Sequence, residues 1–331
     1  MSKPRGFSQE WVDYFIPETV SYDPQTGWPN LDDAVMRNLI AVDLGFEHGL
    51  PDQTIVDRLE VASSIKRLHE LERNPIPGNY DLAHMQRIHH HLFQDVYPWA
   101  GEIRTAPRDW PMTKLGPNVK AHLAGEPNPP EVPHSYFAAK EIVPIAGREL
   151  DRIAAKDNLR GLDRGQFVDE LTTVWARVNY VHPFREGNTR TQFAFFRQLA
   201  AEAGYELDTE RFRDADSTPG ADNAVAGDLR TKFIWGRFQF QQTGETTLLR
   251  EALDEGIRPA PEAEAGDDLP VGPIIERGYD VSALSAATAG HLRPAGAMLT
   301  NRSTASSPNI DAGHSSAELS RAPSADAGYE A

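Results

Sequence analysis

The sequence predicts a mainly α-helical protein, and three observations lead to that prediction. Apolar residues recur at helical spacing, as in Phe167, Leu171, Val174 and Val178, which form one stripe along a helix. Proline and glycine residues separate such stretches from one another. The alternation that marks a β-strand is scarce, and its best candidate is a short hairpin near residues 102–112.

The predicted helices follow one another along the chain. The start of one is marked by Asp163, because Gln166 three residues later completes a capping box. The end of another is marked by Gly204, which stops a helical pattern. The predicted helices span residues 54–72, 81–93, 166–180, 191–203 and about 222–241. A long irregular region at about 105–135, rich in proline, precedes the third of them.

The 331 residues are expected to form three parts. Residues 51–255 carry the helical patterns and are expected to form the functional domain, and residues 1–50 form an N-terminal extension. Residues 256–331 are rich in Ala, Pro, Gly, Ser and Asp. Such a composition buries too little apolar surface to offset chain entropy, so a disordered tail is expected there. The alternative interpretation of this tail is a docking or export signal.

Charge and composition exclude several classes of protein. A formal net charge of −16 argues against a dedicated nucleic-acid binder, whose footprint is a basic face. The chain has no cysteine and therefore no thiolate nucleophile or Cys-type zinc site. It has no apolar run of membrane-spanning length and no secretory signal at its N-terminus. These features predict a cytoplasmic protein, although an effector exported by a specialised route would have the same composition.

The stretch VHPFREGNTR, residues 181–190, lies between two predicted helices and therefore at a helix N-terminus. Helix N-termini bind anions, and Gly187 lets the backbone approach one closely. The side-chain amide of Asn188 can donate a hydrogen bond to such an anion. Arg190 adds a positive charge where the helix dipole disfavours one, which indicates a polyanion in front of it.

The remaining residues of the stretch complete a reactive site. Glu186 would repel that anion unless a cation such as Mg²⁺ bridged carboxylate and phosphate. His182 can take a proton from an incoming nucleophile at neutral pH. Phe184 is expected to anchor the loop in the core. The stretch therefore predicts phosphoryl or nucleotidyl transfer, without a Walker-type loop.

The stretch HPFREGNTR resembles the signature of the Fic family, H-x-F-x-(D/E)-G-N-x-R, at all seven defined positions. The upstream stretch MQRIHHHLFQDVYPWAGEIRT is also similar to Fic proteins, and the resemblance covers about residues 50–250. It implies a Fic-type helical bundle with a small β-hairpin flap. It also implies transfer of AMP from ATP, with release of pyrophosphate, to a Tyr, Thr or Ser hydroxyl of a target protein.

The resemblance also implies residue roles. His182 would be the catalytic base, and Glu186 would hold Mg²⁺ on the α- and β-phosphates. The flap that docks the target would include Arg104, Thr105 and Ala106. The ATP-binding residues would be Arg185, Glu186, Gly187, Asn188, Thr189 and Arg190. Besides the target protein, an inhibitory antitoxin is a partner that the resemblance allows.

Some positions depart from the family pattern. Phe193 stands where many active members carry a second arginine, and Arg197 is a hypothetical substitute. Thr189 stands where glycine is frequent in the family. The Doc kinases carry lysine at this position, and the absence of that lysine here favours AMP transfer over phosphate transfer. Glu251 could belong to an inhibitory helix or to an ordinary one. Transfer of UMP or phosphate, and a nucleotide-binding regulatory module with little turnover, are the alternative functions.

Overall fold

The computed structural model describes residues 6–108, 110–212 and 229–260. Within these ranges the helices are α1 (Gln9–Val12), α2 (Gln53–Arg73), α3 (Leu82–Phe93), α4 (Val119–Leu123), α5 (Ala139–Ala154), α6 (Arg164–Val181), α7 (Asn188–Glu202), α8 (Leu229–Thr243) and α9 (Thr247–Gly256). The strands are β1 (Ser21–Tyr22), β2 (Pro29–Asn30), β3 (Thr113–Gly116), β4 (Val132–Ser135), β5 (Tyr205–Leu207) and β6 (Ile257–Pro259). They form three antiparallel pairs, β1–β2, β3–β4 and β5–β6. The prediction of a mainly α-helical protein is confirmed.

Helix α6 forms the centre of the core. Its start is the predicted capping box, in which Asp163 Oδ1 accepts from the Gln166 N–H at 2.9 Å and Gln166 Oε1 accepts from the Asp163 N–H at 3.4 Å. Its apolar side chains, including Phe167, Leu171 and Trp175, are fully buried. Helices α5, α7, α8 and α9 all pack against it.

The bounds of α2, α3, α6 and α7 agree with the predicted helices to within three residues. Helix α8 corresponds to the predicted 222–241 helix, whose first seven residues lie outside the described ranges. Helix α5 has no predicted counterpart, and it contains Pro144, which lacks an N–H for the helix ladder.

The predicted hairpin near residues 102–112 is wrong, because the described residues there form no strand. Their main-chain groups bond elsewhere: the Arg104 N–H donates to the Pro183 carbonyl at 2.9 Å and the Thr105 N–H to the Tyr14 hydroxyl at 3.1 Å. The Ala106 carbonyl accepts from Ser8 Oγ at 2.9 Å. The hairpin-like pair lies further along the chain, where β3 pairs with β4 in the register Lys114 opposite His134.

The two ends of the predicted domain are closely integrated with it. Apolar side chains of the N-terminal extension, such as Trp11, Phe15 and Met36, belong to the same hydrophobic core as α3 and α6. At the other end, Ile257–Pro259 pairs with β5. The rest of the predicted disordered tail, residues 261–331, lies outside the described residues.

Candidate active site

The loop between α6 and α7 begins at His182, whose backbone is left-handed with φ 51°. Its N–H donates to the Val178 carbonyl at 3.1 Å, and its carbonyl accepts from Arg104 Nε at 2.6 Å. Arg104 also donates through Nη2 to the carbonyls of Phe137 at 2.7 Å and Val181 at 3.3 Å. The guanidinium thus bonds the carbonyls of Val181 and His182, which have no partner within α6 because the helix ends there. It also holds His182 in its strained left-handed conformation.

Arg104 therefore has a structural role that was not predicted for it. Its side chain is 1% exposed, and this burial lowers its pKa to about 10. The guanidinium and the main-chain N–H of Arg104 both donate hydrogen bonds to carbonyls inside the protein. Neither group is therefore presented to a target chain in this structure. The same holds for the main-chain groups of Thr105 and Ala106 that contact Tyr14 and Ser8.

The imidazole of His182 stacks on the ring of Tyr136, with centroids 3.9 Å apart and planes 19° from parallel. Tyr136 directly follows β4 and is buried. Burial raises the pKa of Tyr136 to about 12, so its phenol stays neutral near neutral pH. This contact fixes the plane of the imidazole at the start of the loop.

The next turn of the loop is closed by Asn188. Its Nδ2 donates to the Phe184 carbonyl at 2.7 Å, and its Oδ1 accepts from the Phe184 N–H at 3.0 Å. The ring of Phe184 is fully buried and stacks on His89 at 3.9 Å. The Asn188 amide thus supports the loop from inside, a role that was not predicted for it.

His89 fixes the backbone of the loop from α3. Its Nδ1 accepts from the Gly101 N–H at 2.7 Å, so the proton lies on Nε2, which donates to the Glu186 carbonyl at 3.0 Å. Burial lowers the pKa of His89 to about 3, which keeps the imidazole neutral. A side chain of α3 thus holds the main-chain carbonyl of Glu186, the residue whose carboxylate is predicted to bind the metal.

Gly187 caps α7 in a left-handed conformation, φ 77°. A Cβ on this residue would lie 2.3 Å from the ring of Phe93, so only glycine fits both the dihedral angle and the space. No side chain caps the helix, and the N–H groups of Asn188, Thr189 and Arg190 have no hydrogen-bond acceptor among the described residues. They form the open helix N-terminus that an anion site requires.

The carboxylate of Glu186 faces two cations. Arg185 Nη1 lies 2.7 Å from its Oε1, and Lys114 Nζ, on β3, lies 3.7 Å from its Oε2. Sequence reasoning missed Lys114, because the spacing of 72 residues gives no local signal. Burial lowers the pKa of Lys114, and the nearby Glu186 opposes that shift.

Arg185 is positioned by the N-terminal extension. Its guanidinium carbon lies 4.6 Å from the ring centroid of Trp11, 5.7 Å from that of Tyr14 and 5.5 Å from that of Phe15. These distances fit cation–π contacts. We call these three rings the aromatic cage. It keeps the Arg185 side chain buried and directed at Glu186.

Arg190 is bound to α2, a contact that was not predicted for its side chain. Its Nη1 donates to Glu60 Oε2 at 3.0 Å and to Ser64 Oγ at 2.7 Å, and its Nη2 also bonds to Glu60. The guanidinium lies over the ring of Phe93, 4.8 Å from its centroid. Burial raises the pKa of Glu60, and Arg190 opposes that shift.

The side chain of Thr189 accepts a hydrogen bond from Arg237 of α8, whose Nη1 lies 2.9 Å from Thr189 Oγ1. Arg237 was not predicted as a site residue. The available signal was an arginine within an otherwise mostly apolar run at residues 233–238. Phe193 packs against Trp175 and Phe233, in line with an apolar role at that position.

Two further predicted candidates lie apart from the loop. Arg197 forms an ion pair with Glu72 on the surface and does not substitute for an arginine at position 193. Glu251 is about half exposed and lies 3.8 Å from Lys232, so it contacts α8 and not the motif. In the described ranges no three His, Asp or Glu side chains are grouped to hold a metal ion, and no helix there is long and apolar enough to cross a membrane.

Comparison with known proteins gives consistent results. A sequence model of the Fic/DOC family matches residues 79–200. Protein adenylyltransferase VbhT of Bartonella schoenbuchensis is 35% identical over 215 residues, which are 64% of this chain and 37% of VbhT. The probable protein adenylyltransferase y4lH of Sinorhizobium fredii is 32% identical over 182 residues, 54% of this chain and 82% of that protein.

A solved structure supports the fold. The N-terminal Fic domain of a VirB-translocated Bep effector protein from Bartonella quintana, with bound ADP, has a TM-score of 0.50 and 21% identity. The match covers 68% of this chain and 91% of that one. The chain thus spans most of this Fic domain and of y4lH, but little more than a third of VbhT.

Proposed function

The chain belongs to the Fic/DOC family, and we propose that it transfers AMP from ATP to a Tyr, Thr or Ser hydroxyl of a target protein. The observation that carries the proposal is the loop of residues 182–187. It sets an oriented imidazole beside an uncapped helix N-terminus and a carboxylate. The relatives named protein adenylyltransferases support the choice of AMP as the transferred group.

In the proposed reaction, His182 accepts the proton of the target hydroxyl as the hydroxyl oxygen attacks the α-phosphorus of ATP. A new P–O bond forms, the bond between the α-phosphorus and the bridging oxygen breaks, and pyrophosphate leaves. The N–H groups of Asn188, Thr189 and Arg190 would stabilise the charge that develops on the phosphate oxygens. Stacking on Tyr136 and anchoring by Arg104 keep the imidazole in position for this step.

The residues present fit a single-carboxylate Mg²⁺ site. Mg²⁺ usually takes one or two carboxylates and completes its shell with substrate phosphates and water, so a dedicated protein cage is not required. The Glu186 side chain is 16% exposed, and its two oxygens have lone pairs beyond those directed at Arg185 and Lys114. When bound there, Mg²⁺ would neutralise charge on the α- and β-phosphates.

The target segment is proposed to dock along β3. The Tyr136 N–H donates to the Met112 carbonyl at 2.9 Å, so the next hydrogen-bonded pair along β3 and β4 is Lys114 with His134. Thr113 and Leu115 therefore point their main-chain groups to the other edge. Those groups have no hydrogen-bond partner among the described residues. The outer edge of β4 carries Pro133, which lacks an N–H, so β3 is the better template for an added strand.

The proposal is tested by incubating the full chain with Mg²⁺ and ATP labelled at the α-phosphate, with and without cell lysate. Parallel reactions contain ATP labelled at the γ-phosphate. We expect label on protein only from the α-position, and its loss in His182→Ala. Label from the γ-position would indicate a kinase, and label only from α-labelled UTP would indicate UMP transfer. Nucleotide binding without label from any of them would favour a regulatory module.

A further inference from the structure

Arg237 is a buried cation without a carboxylate partner among the described residues. It lies on α8 and is 5% exposed. Its Nη1 donates to two neutral oxygens, Thr189 Oγ1 at 2.9 Å and Asn179 Oδ1 at 3.4 Å, and its Nε has no hydrogen-bond partner there. Every other arginine described above as a site residue either pairs with a carboxylate or bonds several carbonyls, so Arg237 is the exception.

The surroundings of Arg237 add further positive potential. Thr189 lies in the first turn of α7, where the uncapped N–H groups and the helix dipole are positive. Lys114 is close enough to interact electrostatically with Arg237, and no nearby carboxylate counters the burial that lowers the Arg237 pKa to about 10. A buried charge without a partner is strongly unfavourable, so the arrangement is best explained by an anion that is bound during function.

The packing around Arg237 holds it in this position. Its guanidinium lies over the ring of Phe233, 4.9 Å from the ring centroid. Phe233 in turn packs on Phe193, at 4.9 Å between centroids, and on Trp175. The aromatic side chain at position 193 thus supports the helix that supplies the cation to the start of α7.

We propose that Arg237 is a phosphate-binding residue of the nucleotide site, donating from its guanidinium to the phosphate chain of the bound nucleotide. This inference rests on the proposed function, because it takes that nucleotide to occupy the α7 N-terminus. Its charge-assisted hydrogen bonds would be made to phosphate oxygens and not to the base or ribose.

The test compares wild type with Arg237→Met by calorimetry in Mg²⁺ buffer, using ATP, inorganic pyrophosphate and adenosine as separate probes. Losing charge-assisted hydrogen bonds should weaken binding of ATP and pyrophosphate by about 10- to 100-fold. Adenosine binding should be unchanged. The melting temperature of the ligand-free protein should stay the same or rise, because an unpaired buried charge has been replaced by an apolar side chain.

Two variants complete the design. Arg197→Met removes a surface arginine from α7 and should bind all three probes as wild type does. Arg237→Lys keeps the charge but replaces the planar guanidinium with an ammonium group, so it should keep part of the affinity for phosphate. If Arg237→Met does not fold, Arg237→Lys alone decides: unchanged affinity for ATP and pyrophosphate would overturn the proposal, and a selective loss would support it.

The outcomes separate this inference from the proposed function. Equal weakening of ATP and adenosine binding, with a lower melting temperature, would mean a purely structural role and overturn the inference. Wild-type ATP affinity in Arg237→Met, in a protein that transfers AMP, would overturn it and leave the function intact. A wild type that transfers no AMP but loses pyrophosphate affinity through Arg237→Met would refute the function and support the inference.

Discussion

The buried imidazole of His89 should make the stability of the protein depend on pH, in a way that one substitution removes. In the folded chain its pKa is lowered from 6.5 to about 3 by burial, whereas in the unfolded chain the imidazole titrates normally. Below pH 6.5 the unfolded chain therefore takes up a proton that the folded chain does not. The stability contributed by neutral His89 is complete above pH 6.5 and is lost as the pH falls from there towards 3.

The size of the effect follows from the difference between the two pKa values. Between them, one proton of difference changes the free energy of unfolding by about 1.4 kcal/mol per pH unit. Lowering the pH from about 7.5 to about 5.5 spans the start of this range and should remove about 1.4 kcal/mol through His89 alone. His84 and His134 are also buried with lowered pKa values and add their own losses.

Urea unfolding at these two pH values isolates the contribution of His89. Wild type should lose about 1.4 kcal/mol more than His89→Gln over the interval, because the other histidines titrate in both proteins. His90→Gln, at an exposed neighbour on the same helix, is the matched control and should follow wild type. An identical pH dependence in wild type and His89→Gln would refute the reasoning, since it would mean that His89 is protonated in the folded state.

Three further predictions concern the side chains that position the site. Trp11→Leu keeps an apolar side chain but weakens the aromatic cage by about 1 kcal/mol, so Arg185 orients Glu186 less well and the rate of AMP transfer should fall severalfold. Trp110→Ala, at an exposed ring outside the cage, is its control, and equal transfer rates in both would contradict the cage's role. Arg104→Met leaves buried carbonyls unpaired and should lower the free energy of unfolding by about 3 kcal/mol, measured in urea, and slow AMP transfer. A variant as stable as wild type would show that these hydrogen bonds contribute little. Leu115→Pro removes an N–H from the outer edge of β3 and should reduce target labelling at least about tenfold, with ATP affinity unchanged. Leu115→Val keeps the N–H and should label normally; equal labelling by both would rule out docking on this edge.

Features that depend on neighbouring residues could be predicted from the sequence. The capping box of Asp163 and Gln166 is a local pattern, and the start of α6 follows it. The position of the loop between two helices follows from the apolar periodicity on either side. Gly187 was expected to allow a close approach, and the close neighbour is the ring of Phe93.

Features that depend on distant partners could not be predicted in this way. Arg190 is paired with Glu60, which lies 130 residues earlier, and Thr189 contacts an arginine 48 residues later. Strand β3 finds its partner beyond a short helix and a proline-rich stretch, where the sequence indicates only irregular structure. Several side chains of the loop stabilise it through such distant partners, which no local pattern indicates.

The aromatic cage affects how a working fragment of this protein must be defined. A fragment cut at residue 51, or at the 79–200 limits of the family match, would keep every residue of the motif and still lose the three rings around Arg185. Its guanidinium would then be exposed to water and free to turn away from Glu186. Proteolysis or an expression design that removes the first fifteen residues would therefore impair the site without altering its signature.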